Sequence, residues 1–227
     1  MPNGSSGLHR RQRLLIDAWL ASSEIEVLLY VQPGSDATTE AKRCEIEKRL
    51  NAIWEGKFEV TLCVREEPLV GGAFWQRYIR PALSFFSQPG YGSFSRPTQV
   101  DALNACLERQ PDFVFVHRLL CTPPVSLTRK KLPLFLDMDD IEHVAFARSI
   151  PQPPVWASKR LEYLQVPALM YGERLAIRRC EGTFVCSEID RKKLRQLSST
   201  DKVIAVPNAV AMHTNGLALT SSLTLLL

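Results

Sequence analysis

The stretch Tyr171–Val210, YGERLAIRRC EGTFVCSEID RKKLRQLSST DKVIAVPNAV, decides the fold. It reads as helix, strand, helix, strand. Glu173 to Arg179 is a charged helical end, and Gly182 reads as the helix stop. Thr183-Phe184-Val185-Cys186 is a short apolar run of the buried-strand type. Ser187 is placed to cap a second helix whose third residue is Asp190, a shortened capping box. Val203 to Val206 is another buried strand, stopped by Pro207-Asn208. Two apolar strands joined by a helix of about 11–15 residues form a parallel crossover, the unit of an open α/β sheet.

Working outward, the same alternation recurs. Arg10 to Leu20 is an amphipathic helix with Leu14, Leu15, Ala18 and Trp19 on one face. Ile25 to Val31 is a strand, Asp36 to Trp54 a polar helix, and Phe58 to Val64 a strand. Phe74 to Phe86 (FWQRYIRPALSFF) is aromatic and basic, with Pro81 expected to kink it. It reads either as core packing or as a membrane-facing helix with Arg77 and Arg80 towards anionic head groups. Gln88 to Pro97 has the composition of a loop. Val100 to Arg109 is a helix, Asp112 to Val116 a strand ending at His117-Arg118, and Leu132 to Leu136 a further strand. Trp156 to Gln165 is a helix that Pro167 separates from the segment leading to Glu173. The expected class is α/β, a Rossmann-like parallel sheet flanked by helices.

Composition sets outer limits. A chain of 227 residues, 45% hydrophobic and 23% charged, has room for a proper core. The net charge of +4 suits anionic ligands or a membrane surface and equally an ordinary solvated surface. Six cysteines show no C-x-x-C pair and no zinc-ligand spacing to a histidine, so no metal is expected, and they read as thiols of a reducing compartment. There is no apolar leader and no run of about 18 apolar residues, which points to a cytoplasmic protein, with the inner face of a membrane as an option. No dense basic-aromatic stripe or known module suggests nucleic acid as a partner. From Ala209 onward no charged residue occurs, so residues 1–210 are expected to form one domain and residues 211–227 a disordered tail.

The order E-R, G-x-F-V-C-S-E-x-D, V-I-A-V-P-N-A-V resembles the end of the N-terminal domain of GT-B glycosyltransferases. The nearest likeness is to the family-four retaining enzymes that build bacterial polysaccharides and lipopolysaccharides. The likeness extends over residues 4–210 and is strongest in the final 40 of them. It departs from the family's Pro-Asn-Gly-Val-Asp, reading Ala209 and Ala211, and it lacks the family's first strand. The resemblance implies a sugar transferred from a nucleoside diphosphate sugar to a saccharide or lipid-linked acceptor, with no other cofactor and no obligatory metal. It also implies that donor recognition belongs to a C-terminal domain that this chain lacks, so the chain alone is expected to be inactive or very weakly active.

Open α/β sheets bind ligands beyond the carboxyl ends of their strands. Three places qualify. Gly4-Ser5-Ser6-Gly7 with Arg10 or Arg11 takes the place of the family's glycine-rich, phosphate-contacting loop, unless it is a plain flexible start. His117 and Arg118 follow one strand as acceptor-side candidates, His117 alternatively as a strand cap. Asp137, Asp139 and Asp140 follow the next, with Glu142 and His143 close behind. Three Asp within four residues repel one another and require cations, hydrogen bonds or raised pKa values, which makes them the catalytic candidates. Taken alone, L-F-L-D-M-D-D-I also resembles the first motif of haloacid-dehalogenase-type phosphatases, with Asp137 as nucleophile, Asp139 as acid/base and Mg²⁺; a late metal motif does not follow. His143 reads as an acceptor contact or an ordinary helix-start histidine. Glu173 resembles the family's helix-borne glutamate, or else is a surface ion pair with Arg174 or Arg178. A binding module without chemistry is the remaining alternative.

Overall fold

The computed structural model of the chain describes residues 7–22, 24–31, 39–55, 57–64, 73–88, 91, 95–128 and 131–207. The fold is α/β and Rossmann-like, with parallel strands flanked by helices. In chain order the elements are α1 (Gly7–Leu20), β1 (Glu26–Val31), α2 (Glu40–Ile53) and β2 (Glu59–Val64). A π-helical turn, Trp75–Ile79, runs into α3 (Arg80–Leu83), and α4 (Pro97–Leu107) and β3 (Val114–His117) follow. The remainder is α5 (Thr122–Leu127), β4 (Leu134–Met138), α6 (Glu142–Ser149), α7 (Val166–Arg179), β5 (Gly182–Val185), α8 (Glu188–Ser198) and β6 (Val203–Ala205).

The deciding stretch folds as read. Ser187 has extended backbone and its Oγ accepts from the Asp190 amide at 3.1 Å, so the cap satisfies a free N–H of α8. β5 and β6 pair in parallel, Thr183 opposite Val203. Gly182 is not a helix stop, however. It is the first residue of β5, where an added Cβ would lie 3.2 Å from the Phe135 ring.

Prolines account for most of the shifted boundaries. Pro133 has no N–H, so β4 starts at Leu134 and runs to Met138 instead of Leu132 to Leu136. Asp137 therefore lies inside the strand, opposite His117 and Phe184, and not beyond its end. Pro123 and Pro124 sit in the first turn of α5, where a missing N–H costs nothing. Ahead of Pro81 the chain widens into the π turn, with the Arg80 N–H donating to the Trp75 carbonyl. Such a bulge is a known way to fit a proline ring into a helix. Trp156 to Gln165 forms a 3₁₀ helix only over Lys159–Gln165. There the buried Lys159 ammonium donates to the carbonyls of Ser149, Gln152 and Pro154.

The strands form two parallel sheets, β1-β2 and β3-β4-β5-β6. Among the described residues β1 and β3 do not pair, yet two helices span the break. On α1, Ile16 and Leu20 join the same apolar cluster as Val27 and Leu29 of β1, while Trp19 makes a tilted contact with Phe113 and an edge-on contact with Phe115, at 5.3 and 5.6 Å. On α4, the Gln99 carbonyl accepts from Tyr30 and its side chain donates to the Val64 carbonyl, while Leu103 and Leu107 enter the core of the larger sheet. Successive strand residues point to opposite faces, so α1 and α4 cover β1 from opposite sides. Residues 211–227 and half of the expected loop 88–97 lie outside the described residues.

Candidate functional site

Five segments converge at the carboxyl edge of the larger sheet: the first turns of α1, the ends of β3 and β4, the start of α6 and the middle of α7. Asp137 is fully buried. A carboxylate there needs a counter-charge and hydrogen-bond donors, and two side chains supply them. Arg11 of α1 engages both oxygens, Nε to Oδ2 at 2.9 Å and Nη2 to Oδ1, and His117 Nδ1 lies 2.9 Å from Oδ2. Burial alone would raise the Asp137 pKa; the hydrogen bonds from Arg11 and then His117, with their charges, bring it below the usual carboxylate range. The hydrogen bond to Asp137 correspondingly raises the Arg11 pKa against the effect of its own burial. An ionised Asp137 can only accept, so His117 Nδ1 carries the proton of that hydrogen bond. The His117 Nε2 is shielded from solvent and has no partner among the described residues.

A second carboxylate–histidine pair lies beside the first. Glu173 of α7 is fully buried; its Oε1 accepts the His143 amide at 2.9 Å and its Oε2 faces His143 Nδ1 at 2.5 Å. The expected surface ion pair with Arg174 or Arg178 gives way to this buried hydrogen-bonded pair. His143 is the second residue of α6, so Glu173 both holds the ring and satisfies a free amide of the first turn.

Between the pairs stand the groups that remain accessible. Arg118 donates its amide to the Asp137 carbonyl at 2.7 Å and holds φ 72°, a backbone conformation that side chains other than glycine's rarely adopt. Strain of this kind, worth about 1–3 kcal/mol, concentrates at functional sites. The Arg118 guanidinium lies 3.8 Å from Glu142. Burial raises the Glu142 pKa, Arg118 offsets part of that, and Glu173 and Asp140 add to it. Asp139 is half-buried and Asp140 exposed. The Cys186 thiol donates to the Asp139 carbonyl at 3.5 Å; burial pushes its pKa up, with Arg11 offsetting part.

The candidates read from the sequence thus separate into two groups. His117, Arg118, His143, Glu173, Asp137, Asp139 and Asp140 do come together. Within them Asp137 and Glu173 are buried supports, while Asp139, Asp140 and Arg118 face outward. Gly4, Ser5, Ser6 and the side chain of Arg10 lie outside the described residues, and Gly7 opens α1. The guanidinium that reaches the sheet is that of Arg11. Glu142 and Cys186 join the site, as does Tyr91, which hydrogen-bonds Glu142. Glu142 was already noted behind the Asp cluster, whereas spacing did not single out Cys186 and Tyr91, because each is brought in by a different segment. A cavity of about 530 Å³ lies at the opposite edge of β3 and β4, between Val114, Leu134 and Arg179, remote from these groups. Among the described residues no cluster of three His, Cys, Asp or Glu is arranged as a metal site.

No protein-family model matches the chain, and no characterised protein matches it in sequence.

Proposed function

We propose that the chain is the acceptor-side half of a glycosyltransferase that moves a sugar from a nucleoside diphosphate sugar to a saccharide or lipid-linked acceptor. The observation that carries this reading is the pair of buried carboxylates, Asp137 and Glu173, each holding a histidine at the carboxyl edge of one parallel sheet. Beside them, the Arg118 guanidinium is a donor and the carboxyl groups of Glu142, Asp139 and Asp140 are acceptors, groups that can hydrogen-bond a polyhydroxyl ligand. Glu142, whose proton affinity burial raises, is placed to take a proton from an acceptor hydroxyl. The ends of the strands are where such sheets take ligands. The motif order in residues 171–210 adds the resemblance to GT-B enzymes.

The phosphatase alternative asks Asp137 to attack a phosphate. Its two oxygens are held by Arg11 and His117 and no part of it reaches solvent, so the geometry gives that reading no nucleophile.

Saturation-transfer NMR with a panel of free saccharides tests the acceptor site, alongside calorimetric titration with UDP, GDP and UDP-sugars. The expected result is saccharide contact that His143→Ala abolishes, with nucleotide binding weak or absent. Tight nucleotide binding without saccharide contact would overturn the acceptor-side assignment. Phosphate release in Mg²⁺ that vanishes in Asp139→Asn would overturn the transferase reading altogether.

A further inference from the structure

α7 has two working faces. One buries Glu173 against His143; the other exposes Tyr171 and Leu175, 60% and 46% accessible. Gly172 lies between them, and an added Cβ there would overlap the Phe85 ring. That close approach seats the segment 74–87 on α7, and a groove of about 310 Å³ runs between them, lined by Leu83, Phe86, Pro167, Tyr171 and Leu175. Leu83 is 72% exposed, Trp75 58% and Phe74 56%. The aromatic residues of FWQRYIRPALSFF divide accordingly, with Tyr78 and Phe85 buried and Phe74, Trp75 and Phe86 at the surface.

Charge decides what covers this face. Residues 74–86 carry Arg77 and Arg80 and no carboxylate. Residues 155–179 add the exposed Arg160 and the half-buried Arg174 against Glu162, whereas Lys159 and Glu173 are buried and Arg178 and Arg179 donate to the carbonyls of Ser198 and Val125. Arg77 lies 4.7 Å from the Trp156 ring centroid, a cation–π contact that holds it at the rim of the apolar surface. Exposed Trp, Phe, Tyr and Leu flanked by arginine is the composition of elements that lie in a bilayer interface. No described helix is long and apolar enough to cross a membrane, so the contact is with a surface.

We infer that the face built by residues 74–86 and the outer side of α7 docks the protein on an anionic phospholipid bilayer. The aromatic and leucine side chains enter the interface, and Arg77 and Arg80 meet lipid phosphates. The inference rests on exposure and charge and not on the glycosyl-transfer reading. It sets the bilayer against the outer side of the helix that carries Glu173, so a lipid-linked ligand would approach the histidine sites from that side.

The test is vesicle flotation of the full chain with phosphatidylcholine alone and with phosphatidylglycerol added. The expected result is binding to the anionic vesicles with a blue shift in tryptophan emission that Trp75→Ala removes. Salt raised from about 0.1 to about 1 M shortens the screening length from about 10 to about 3 Å and should release the protein. Leu83→Glu, and separately Arg77→Ala with Arg80→Ala, should weaken binding about tenfold or more, as expected when an apolar or basic interfacial contact is lost. All three positions are exposed, and an unchanged circular dichroism spectrum would confirm that the variants fold. Absence of binding by the folded protein would overturn the inference. So would concentration-dependent self-association that Leu83→Glu abolishes, which would assign the face to a second copy of the chain.

Discussion

The larger sheet, β3 to β6, packs among seventeen buried apolar residues, whereas β1 and β2 rest on Leu50, Trp54, Phe58, Val60 and Leu62. Both sheets are parallel, and both are flanked by helices. Among the described residues only the larger one holds a buried carboxylate within a strand, with every oxygen of Asp137 paired. The difference teaches where polar chemistry can be afforded: a buried ion pair needs enough surrounding apolar area to keep its helices in register. Arg11 is the link between the two regions. It anchors α1 to β4, while Ile16 and Leu20, further along the same helix, pack on β1.

The sharpest way to break that link is Arg11→Ala. It leaves Asp137 buried with His117 alone, and removing one member of a buried pair costs about 3–5 kcal/mol. Denaturant unfolding at neutral pH should show the loss, and amide exchange should accelerate in β1 and β2 more than in β5 and β6. The pH dependence follows from the lowered Asp137 pKa. A carboxylate whose folded pKa is depressed stabilises the fold above its unfolded pKa, near the ordinary carboxylate value, and that stability is lost as pH falls through the folded pKa. The gap between wild type and Arg11→Ala should therefore be full at neutral pH and close only below about pH 4, where unfolded Asp takes up its proton. A gap that does not change with acid would mean that Arg11 acts through packing.

The second comparison sets Leu136→Ala in β4 against Leu62→Ala in β2. Both side chains are buried, and a truncation of this kind costs about 2–5 kcal/mol. Leu136 lies within the larger cluster, so its loss should sit at the upper end and lower global stability. Leu62 should act mainly on local opening of its own sheet. Hydrogen exchange read by mass spectrometry distinguishes the two; equal global effects would show that the sheets unfold as one unit.

The smallest effect concerns Arg118. Glycine adopts φ 72° without strain, so relief of about 1–3 kcal/mol offsets glycine's extra freedom in the unfolded chain. Arg118→Gly should change stability by less than about 1 kcal/mol and be more stable than Arg118→Ala, which keeps the strain. Thermal unfolding of the pair checks the order, and the reverse order would place the strain elsewhere.

Much of this was legible from residues alone. Two apolar runs flanking a capped helix are enough for a parallel crossover, because local hydrogen bonding and apolar periodicity dictate each element. The sequence reading left Arg10 and Arg11 open; the signal that favours Arg11 is that Leu14, Leu15 and Trp19 stand three, four and eight residues beyond it, on its own face of the helix. Polarity misdirected the reading of Asp137 and Glu173. Each looks like a surface group until its partner is known, and those partners lie 126 residues away for Arg11 and 30 for His143. The sequence by itself determined the α/β class, the capped helix at Ser187 and the aromatic-basic character of residues 74–86. Only the tertiary structure decided which aromatics stay outside, which carboxylates go inside, and that the two histidines stand at one edge. Those choices depend on contacts between distant segments, and desolvating a charge is tolerable only where the fold delivers its counter-charge.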